Sequence, residues 1–212
     1  MSPCVNHRNE LHLRKNYDNL APRDGELFLL KNFLEPKEAS LTLQCLLSKL
    51  QWEEETIMMF GKPLTVPRLV CWYGDSGTRY SYSGTVHNPI PWTPTLIDLK
   101  TRIESFSNHR FNSVLGNLYR TGQDSMGWHA DKEKELGLNP FIASLSLGVR
   151  RLFKIRHNKS KQIVDLHLPH GSLLLMGGNL QHCWRHCLPK DRIAKGVRVN
   201  LTFRLIKMPV GK

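Results

Sequence analysis

The sequence predicts a mainly β protein with flanking helices, whose strands form a double-stranded β-helix, the fold also called a jelly roll. Short apolar segments separated by turn residues follow one another from residue 111 onward, a spacing typical of β-sandwiches and jelly rolls. Two apolar stretches with helical period precede them. The 212 residues are enough for one domain with its own core.

The limits of each β segment follow from the alternation of apolar and polar residues and from the turn residues between segments. We expect a short strand from Glu26 to Phe33, hairpins over residues 54–83, and a jelly-roll core over residues 111–206. The core strands are expected at residues 112–119, 125–131, 141–148, 150–156, 162–168, 171–177, 182–187 and 197–206.

Two prolines indicate where the helices begin, because proline is favoured in the first turn of a helix. The helix that begins at Pro36 is expected to bury Leu41, Leu43, Leu46, Leu47 and Leu50. The helix that begins at Thr93 and Pro94 is expected to bury Leu96, Ile97, Leu99, Ile103 and Phe106. Residues 1–25 are polar and lack periodicity, so we predict a flexible polar arm before a single domain over residues 26–212.

The net charge of +12, from 30 Lys and Arg against 18 Asp and Glu, predicts a polyanionic partner. Nucleic acid is favoured over a membrane surface, because no basic amphipathic helix stands out. No apolar run is long enough to span a membrane, and the N-terminal residues lack the apolar core of a signal peptide. Five scattered cysteines do not indicate a disulfide framework, so we expect a reducing, intracellular location.

His129 and Asp131 are two residues apart in a predicted strand, and residues at this spacing point to one face. An imidazole and a carboxylate therefore converge. With a second histidine they would form the two-histidine-one-carboxylate triad, which leaves positions open on iron(II) for oxygen chemistry. A jelly roll suits such a site, because cupin-like enzymes hold their metal inside this fold. The histidines far enough downstream to complete the triad are His167, His170, His182 and His186.

The predicted C-terminal strand has one polar, cationic face and one apolar face. Arginines inside a barrel are costly unless they meet anions. A dicarboxylate cosubstrate would satisfy them through planar, bidentate contacts. The alternative is an edge strand whose arginines are solvated. The polar face consists of Arg198, Asn200, Thr202 and Arg204, which alternate with Val199, Leu201, Phe203 and Leu205.

Four sequence segments are informative in combination: Asn117-Leu118-Tyr119, His129-x-Asp131-x-Glu133, His186, and Arg198-Val199-Asn200-Leu201-Thr202-Phe203-Arg204. Together they resemble the AlkB family, the iron(II)- and 2-oxoglutarate-dependent dioxygenases that demethylate alkylated bases. The resemblance extends from about Glu26 to Ile206. It implies His186 as the third metal ligand, because the family's distal histidine lies twelve residues before the first arginine of the last segment; His182 ranks second.

The resemblance also implies the cofactors and the chemistry: iron(II), 2-oxoglutarate as cosubstrate, and O2, with succinate, CO2 and formaldehyde released. Asn200 shares the polar face and is expected to support the same carboxylates. Which arginine holds which carboxylate stays open. The residues that the resemblance places around 2-oxoglutarate are Asn117, Tyr119, Arg198, Thr202 and Arg204.

A methylated base must leave the duplex stack or lie in a single strand to be reached. By resemblance, residues 54–84 recognise the nucleotide, and within them Tyr80-Ser81-Tyr82 is the aromatic strand beside the pocket. Tyr82 is expected to stack on the base opposite His129, and Glu133 to contact its exocyclic amine. The alternative is that both tyrosines are ordinary strand aromatics.

Met59, Phe60, Gly61 and Lys62 resemble the aliphatic-aromatic-Gly-Lys segment of family members that act on duplexes. Apolar wedges fill the gap left by an unstacked base; a buried hairpin is the alternative. Further residues are expected at the nucleic acid: Lys62, Arg68, Lys190 and Arg192 at phosphates, and Lys132, where some members carry an acid.

The sequence therefore predicts a DNA repair demethylase of 1-methyladenine and 3-methylcytosine, acting as a monomer on duplex or single-stranded DNA. The expected location is cytoplasmic if the source is bacterial and nuclear if it is eukaryotic. Two alternatives stay open. The same chemistry could act on methylated RNA, or the chain could be a non-catalytic nucleic-acid-binding jelly roll.

Overall fold

The computed structural model of the chain describes residues 13, 16–59, 61–78, 80–82, 85–87 and 89–207, without the side chains of residues 59, 80–82 and 85–87. Thirteen strands and three α-helices make up most of this part of the chain. None of the helices in the described residues is long and apolar enough to cross a membrane.

The helices lie between strands, and most of the strands follow residue 111. The helices are α1 (Pro36–Lys49), α2 (Pro94–Ser107) and α3 (Leu180–Cys183), with one 3-10 turn at Lys134–Leu136. The strands are β1 (Glu26–Leu30), β2 (Glu53–Met59), β3 (Lys62–Gly74), β4 (Tyr80–Tyr82), β5 (Thr85–His87), β6 (Ser113–Tyr119), β7 (Met126–His129), β8 (Ile142–Gly148), β9 (Arg151–His157), β10 (Ile163–Leu168), β11 (Ser172–Gly177), β12 (Trp184–Leu188) and β13 (Arg198–Arg204).

The strands form two large antiparallel sheets and one small hairpin. The seven-stranded major sheet has the order β1-β11-β8-β13-β6-β3-β2, and the four-stranded minor sheet has the order β10-β9-β12-β7. The pair β4-β5 forms a separate two-stranded sheet. The prediction of a mainly β jelly roll with flanking helices is confirmed.

The central strands of the major sheet, β11, β8 and β13, are buried on both faces. One face packs against the two long helices, where Leu46, Leu96 and Ile103 meet Leu201 and Phe203. The other face packs against the minor sheet in a second apolar cluster, which includes Ile142, Leu174, Met176, Phe153, Ile155 and Trp184. The strand β13 therefore runs between two layers, and the arginines predicted on its polar face are buried rather than solvated at an edge.

Both long helices begin where the prolines predicted. In α2 the side chain of Thr93 accepts a hydrogen bond from the Leu96 backbone N–H at 3.3 Å, which caps the first turn. The prediction of the buried stripes is wrong for two residues, because Leu41 and Ile97 are exposed. Each lies off the stripe at spacings of three and four that its helix buries, so its side chain points away from the sheet.

The predicted core strands are found within a few residues of their expected limits, with two differences. The expected strand 125–131 ends at His129, so Asp131 lies beyond the ladder. The start of the expected strand 182–187 is instead the four-residue helix α3, and the strand begins at Trp184. Both differences lie at the candidate site.

Residues 17–25 were expected within a loose arm, but they are held against the sheets. The indole N–H of Trp184 donates to the Arg23 carbonyl at 3.0 Å, and the Asn19 side chain accepts from the Leu27 backbone N–H at 2.9 Å. Ala21 is buried in the second apolar cluster. The arm remains a prediction for residues 1–12, 14 and 15, which lie outside the described part of the chain.

Candidate active site

The strands β7 and β12 bring three metal-capable side chains together between the two sheets. His186 pairs directly with His129 across the two strands, and their ring centroids are 4.2 Å apart. The Nε2 atom of His129 is 3.8 Å from Oδ1 of Asp131. One ligand atom from each of the three residues lies within 4.8 Å of the others, and His182 is not part of this group.

The ring of His129 is oriented by its own strand. Its Nδ1 atom is 2.8 Å from the Gly127 carbonyl oxygen. Because a carbonyl oxygen only accepts hydrogen bonds, Nδ1 carries a hydrogen, and Nε2 is the nitrogen available to a metal ion. This arrangement is the usual one for a metal-binding histidine, whose second nitrogen donates to the protein.

The two carboxylate oxygens of Asp131 have different neighbours. Arg204 donates to Oδ2 from Nε at 3.1 Å and from Nη2 at 2.7 Å. The other oxygen, Oδ1, faces His129. The charge of Arg204 thus compensates the buried carboxylate and leaves one oxygen directed at the point where the histidines meet.

The pKa values of the buried pair suit metal binding at neutral pH. Burial, and after it the neighbouring His129, lower the pKa of His186 to about 3, so its imidazole is neutral. Burial alone would raise the pKa of Asp131, but Arg204 and the two histidines outweigh it and hold this pKa well below its usual value. A neutral imidazole and an ionised carboxylate are the forms that bind metal ions.

A polar wall extends from this point along the inner face of the major sheet. In the middle of the wall Asn200 donates to Ser144 Oγ at 2.8 Å and accepts from the Thr202 hydroxyl at 3.2 Å. Asn200 pairs in register with Asn117 on β6 and with Ser146 on β8. The wall consists of Arg198, Asn200, Thr202 and Arg204 of β13, Asn117 and Tyr119 of β6, and Ser144 and Ser146 of β8.

Arg198 closes the far end of the wall and has no carboxylate partner among the described residues. It is 2% exposed, its Nη2 donates to Ser146 Oγ at 2.9 Å, and its guanidinium lies 5.2 Å from the Tyr119 ring centroid. Its Nε is buried and has no hydrogen-bond partner among the described residues. Burial lowers the pKa of Arg198 to about 10, so it remains a cation at neutral pH.

A buried guanidinium without a counter-ion is costly, and an anionic ligand would remove that cost. The cavity beside it is lined on the major sheet by the polar wall and on the minor sheet mainly by apolar residues: Met126, Phe153, Cys187 and Leu188. The same cavity contains the three metal-capable residues. The residues present therefore fit a metal ion at one end and a carboxylate ligand that reaches Arg198 at the other.

The residues expected at the nucleic acid differ in how exposed they are. Lys132 is exposed, and Glu133 has one carboxylate oxygen, Oε2, buried without a hydrogen-bond partner in the described residues. Arg68 differs from expectation, because it is 3% exposed and its Nε donates to Asn117 Oδ1 at 2.7 Å. Such a buried arginine supports the polar wall and is not available to a phosphate at the surface.

The hairpin of β2 and β3 projects from the edge of the major sheet. Near its tip Met58 is 61% exposed and Leu64 is 46% exposed, and Gly61 and Lys62 are also exposed. These exposures favour a projecting apolar hairpin over a buried one. Phe60 and the side chain of Met59 lie outside the described residues. The same holds for the side chains of Tyr80, Ser81 and Tyr82, whose backbone forms β4.

A second group of metal-capable side chains, Asp24, His157 and Cys183, lies elsewhere. Its hydrogen bonds explain it without a metal. The Ser160 backbone N–H donates to His157 Nδ1 at 3.0 Å, so Nε2 carries the hydrogen and faces Asp24 Oδ2 at 3.2 Å. No nitrogen lone pair of His157 is left for an ion.

Sequence reasoning missed two kinds of site residue. Ser144 and Ser146 alternate with apolar residues in β8, so the same alternation that identified the polar face of β13 could have found them. Gln181 accepts a hydrogen bond from the Asp131 backbone N–H at 3.0 Å. It is 50 residues away in sequence and carries no local signal.

Comparisons with known proteins agree with this geometry. Residues 26–204 match the profile of the 2OG-Fe(II) oxygenase superfamily. The chain is 40% identical over 188 residues to the human alpha-ketoglutarate-dependent dioxygenase alkB homolog 3, an alignment that covers 84% of this chain and 65% of the relative. It is 35% identical over 210 residues to the DNA oxidative demethylase ALKBH2 of Arabidopsis thaliana, covering 86% of this chain and 67% of the relative.

The bovine DNA oxidative demethylase ALKBH2 is 42% identical over 158 residues, which cover 71% of this chain and 57% of the relative. The chain thus spans about two thirds or less of the length of these relatives. In fold it resembles the solved structure of OsALKBH1, with a TM-score of 0.59 at 19% identity over 84% of this chain and 97% of that one. The chain belongs to the 2OG-Fe(II) oxygenase superfamily and is an AlkB-like member of it.

Proposed function

We propose that this chain is an iron(II)- and 2-oxoglutarate-dependent demethylase that repairs 1-methyladenine and 3-methylcytosine in DNA. The observation that carries the proposal is one cavity with the His129, Asp131 and His186 group at one end and the unpaired, buried cation of Arg198 at the other. The names of the relatives, which include DNA oxidative demethylases, support DNA as the substrate.

The three ligands would hold iron(II) and leave positions open for the cosubstrate and O2. When bound, iron and 2-oxoglutarate supply the oxidation of the N-methyl group, with succinate, CO2 and formaldehyde as products. The chain orients the ligands: Gly127 fixes the His129 ring, and Arg204 fixes the Asp131 carboxylate.

The two arginines have separate tasks in this proposal. Arg204 already pairs with Asp131, so it belongs to the metal end of the cavity. Arg198 is the cation at the other end, stacked against Tyr119 and held by Ser146. We therefore assign Arg198 to the far carboxylate of 2-oxoglutarate. Tyr119, Asn117, Asn200 and Thr202 line the path between the two ends, and apolar residues of the minor sheet line the other side.

Base recognition would take place at the more exposed side of the metal group. His129 keeps 29% of its side chain exposed, whereas Asp131 keeps 5%. A flipped base could lie against this ring, with Tyr82 or Tyr80 of β4 on its other face. Glu133 offers a buried carboxylate oxygen that has no donor in the described residues. An exocyclic amine would supply that donor.

Duplex DNA is the substrate that the β2–β3 hairpin favours. Its exposed flanks, Met58 and Leu64, support an apolar wedge at Met59 and Phe60 that fills the place of a flipped base. Lys62, Lys132, Lys190 and Arg192 are exposed cations that could contact phosphates. The net charge of +12 supports the same partner.

We further propose one catalytic domain over residues 26–212 that acts as a monomer in the compartment that contains the DNA. An assay on methylated oligonucleotides tests the function: duplex DNA, single-stranded DNA and RNA carrying 1-methyladenine or 3-methylcytosine, scored for formaldehyde and succinate. We expect formaldehyde that depends on 2-oxoglutarate, with duplex DNA turned over fastest. If only RNA were turned over, RNA would replace DNA as the proposed substrate. If no oligonucleotide gave formaldehyde, the proposed demethylase activity would be refuted.

A further inference from the structure

The backbone of Asp131 needs an acceptor that its own strand does not provide. The strand β7 ends at His129, so the Asp131 N–H lies beyond the ladder, and Asp131 is buried. A buried N–H without a partner is costly. The acceptor is Oε1 of Gln181, at 3.0 Å.

The amide of Gln181 is committed to this contact. Gln181 is 1% exposed, and among the described residues its Nε2 has one hydrogen-bond contact, to the Met176 thioether at 3.6 Å from Sδ. A thioether is a weak acceptor, whereas the amide oxygen is a strong one. The amide orientation is therefore set by the Asp131 N–H.

Gln181 also connects the two halves of the metal group. It belongs to α3, which directly precedes the strand β12 that carries His186. Asp131 follows the strand that carries His129. Arg204 fixes the Asp131 carboxylate through Oδ2, and Gln181 fixes the Asp131 backbone, so the two anchors hold different parts of one residue.

We propose that Gln181 is a positioning residue that holds Asp131 in register with His186 and thereby sets the metal affinity of the site. The inference rests on the proposed function, because it takes the three residues as metal ligands. Without Gln181 the Asp131 carboxylate would keep Arg204 as its partner. The Asp131 backbone would lose its hydrogen bond to α3, the helix that leads into the strand of His186.

The test is the affinity of the protein for Mn(II), which is stable in air and binds similar ligands. Gln181→Met keeps the length of the side chain and removes the acceptor. Gln162→Met is the matched control, because Gln162 is exposed just before β10. Supporting residues typically change metal affinity about 10- to 100-fold. We expect the Mn(II) Kd of Gln181→Met to rise within that range, while that of Gln162→Met equals the wild-type value.

Two further measurements separate positioning from general stability. Urea unfolding of each metal-free variant reports the stability of the fold, and formaldehyde release at increasing iron(II) reports whether excess metal restores the rate. We expect restoration at saturating iron(II). Should Gln181→Met fail to fold, Gln181→Asn, whose amide is one methylene shorter, is expected to weaken Mn(II) binding in the same direction.

Equal Mn(II) affinity in the wild type and in a folded Gln181 variant would overturn the inference, even if stability fell. A wild-type protein that binds no Mn(II) would instead refute the metal site of the proposed function. The two failures are therefore distinguishable in one titration series.

Discussion

The proposed cosubstrate end and the proposed nucleic-acid end of this protein are built in different ways. Most of the residues proposed for iron and 2-oxoglutarate lie on strands between two packed layers, and those of β13 are all buried. Asp131 lies just beyond the end of β7 and is buried as well. The residues proposed for DNA lie on the β2–β3 hairpin, on β4 and in turns, where side chains such as Met58 are exposed.

This difference shows which part of the function packing constrains. A polar residue inside the jelly roll is costly unless it has a partner, so its position and type carry a chemical requirement. An exposed methionine or lysine carries no such requirement. In the proposed function, the oxidation chemistry is therefore fixed more firmly by packing than the choice of nucleic acid is.

Loss of the metal carboxylate should give the largest effect. We expect Asp131→Ala to abolish formaldehyde release, a loss larger than the roughly 10- to 100-fold effect of residues that only support a ligand. Asp165→Ala is the control, because Asp165 pairs with Lys154 on the surface of the minor sheet. Activity of Asp131→Ala within tenfold of the wild type would rule out this residue as a ligand.

Replacement of the far cation should act on the cosubstrate alone. A hydrogen bond to a charged group contributes about 1.5–3 kcal/mol, so Arg198→Met should raise the KM for 2-oxoglutarate by about 10- to 100-fold. The KM for methylated DNA should not change. Because Arg198 is buried without a carboxylate among the described residues, the metal-free variant should be as stable to urea as the wild type, or more stable.

The exposed Arg150→Met is the matched control for this experiment. If Arg198→Met left the KM for 2-oxoglutarate unchanged, Arg198 would not be the anchor of the far carboxylate. A rise in the KM for DNA of the same size would indicate a disturbed fold rather than a lost cosubstrate contact.

Removal of the hairpin wedge should separate duplex from single-stranded DNA. Unstacking a base costs a few kcal/mol, so Met59→Ala with Phe60→Ala should lower the rate on duplex DNA by about tenfold or more. The rate on single-stranded DNA should change little. The control is Leu138→Ala with Ile163→Ala, two exposed apolar residues outside the hairpin. Equal loss on both substrates would mean that Met59 and Phe60 stabilise the fold.

The smallest effect is expected from a single phosphate contact. Lys62→Gln should reduce the slope of log affinity against log salt by about 0.9 for duplex DNA, as loss of one contact predicts. Lys37→Gln, on the exposed side of α1, should leave the slope unchanged. An unchanged slope for Lys62→Gln would remove this residue from the DNA surface.

The alternation of apolar and polar residues along strands made much of the fold, and the β13 face of the polar wall, predictable from sequence. A period of two identified the polar face of β13, and proline identified both helix starts. The contacts between distant residues could not be predicted. Gln181 meets the Asp131 backbone, and Arg68 turns inward to Asn117. Both contacts depend on which strands become neighbours, which local periodicity does not contain.

The central claim is that one cavity holds iron(II) at Asp131 and 2-oxoglutarate up to Arg198. Anaerobic addition of iron(II) and 2-oxoglutarate, followed by visible spectroscopy, tests it most directly. We expect a weak charge-transfer band that requires both additions, is lost in Asp131→Ala, and needs more 2-oxoglutarate in Arg198→Met. Wild-type protein that is loaded with both and shows no band would contradict the claim and favour a non-catalytic nucleic-acid-binding jelly roll.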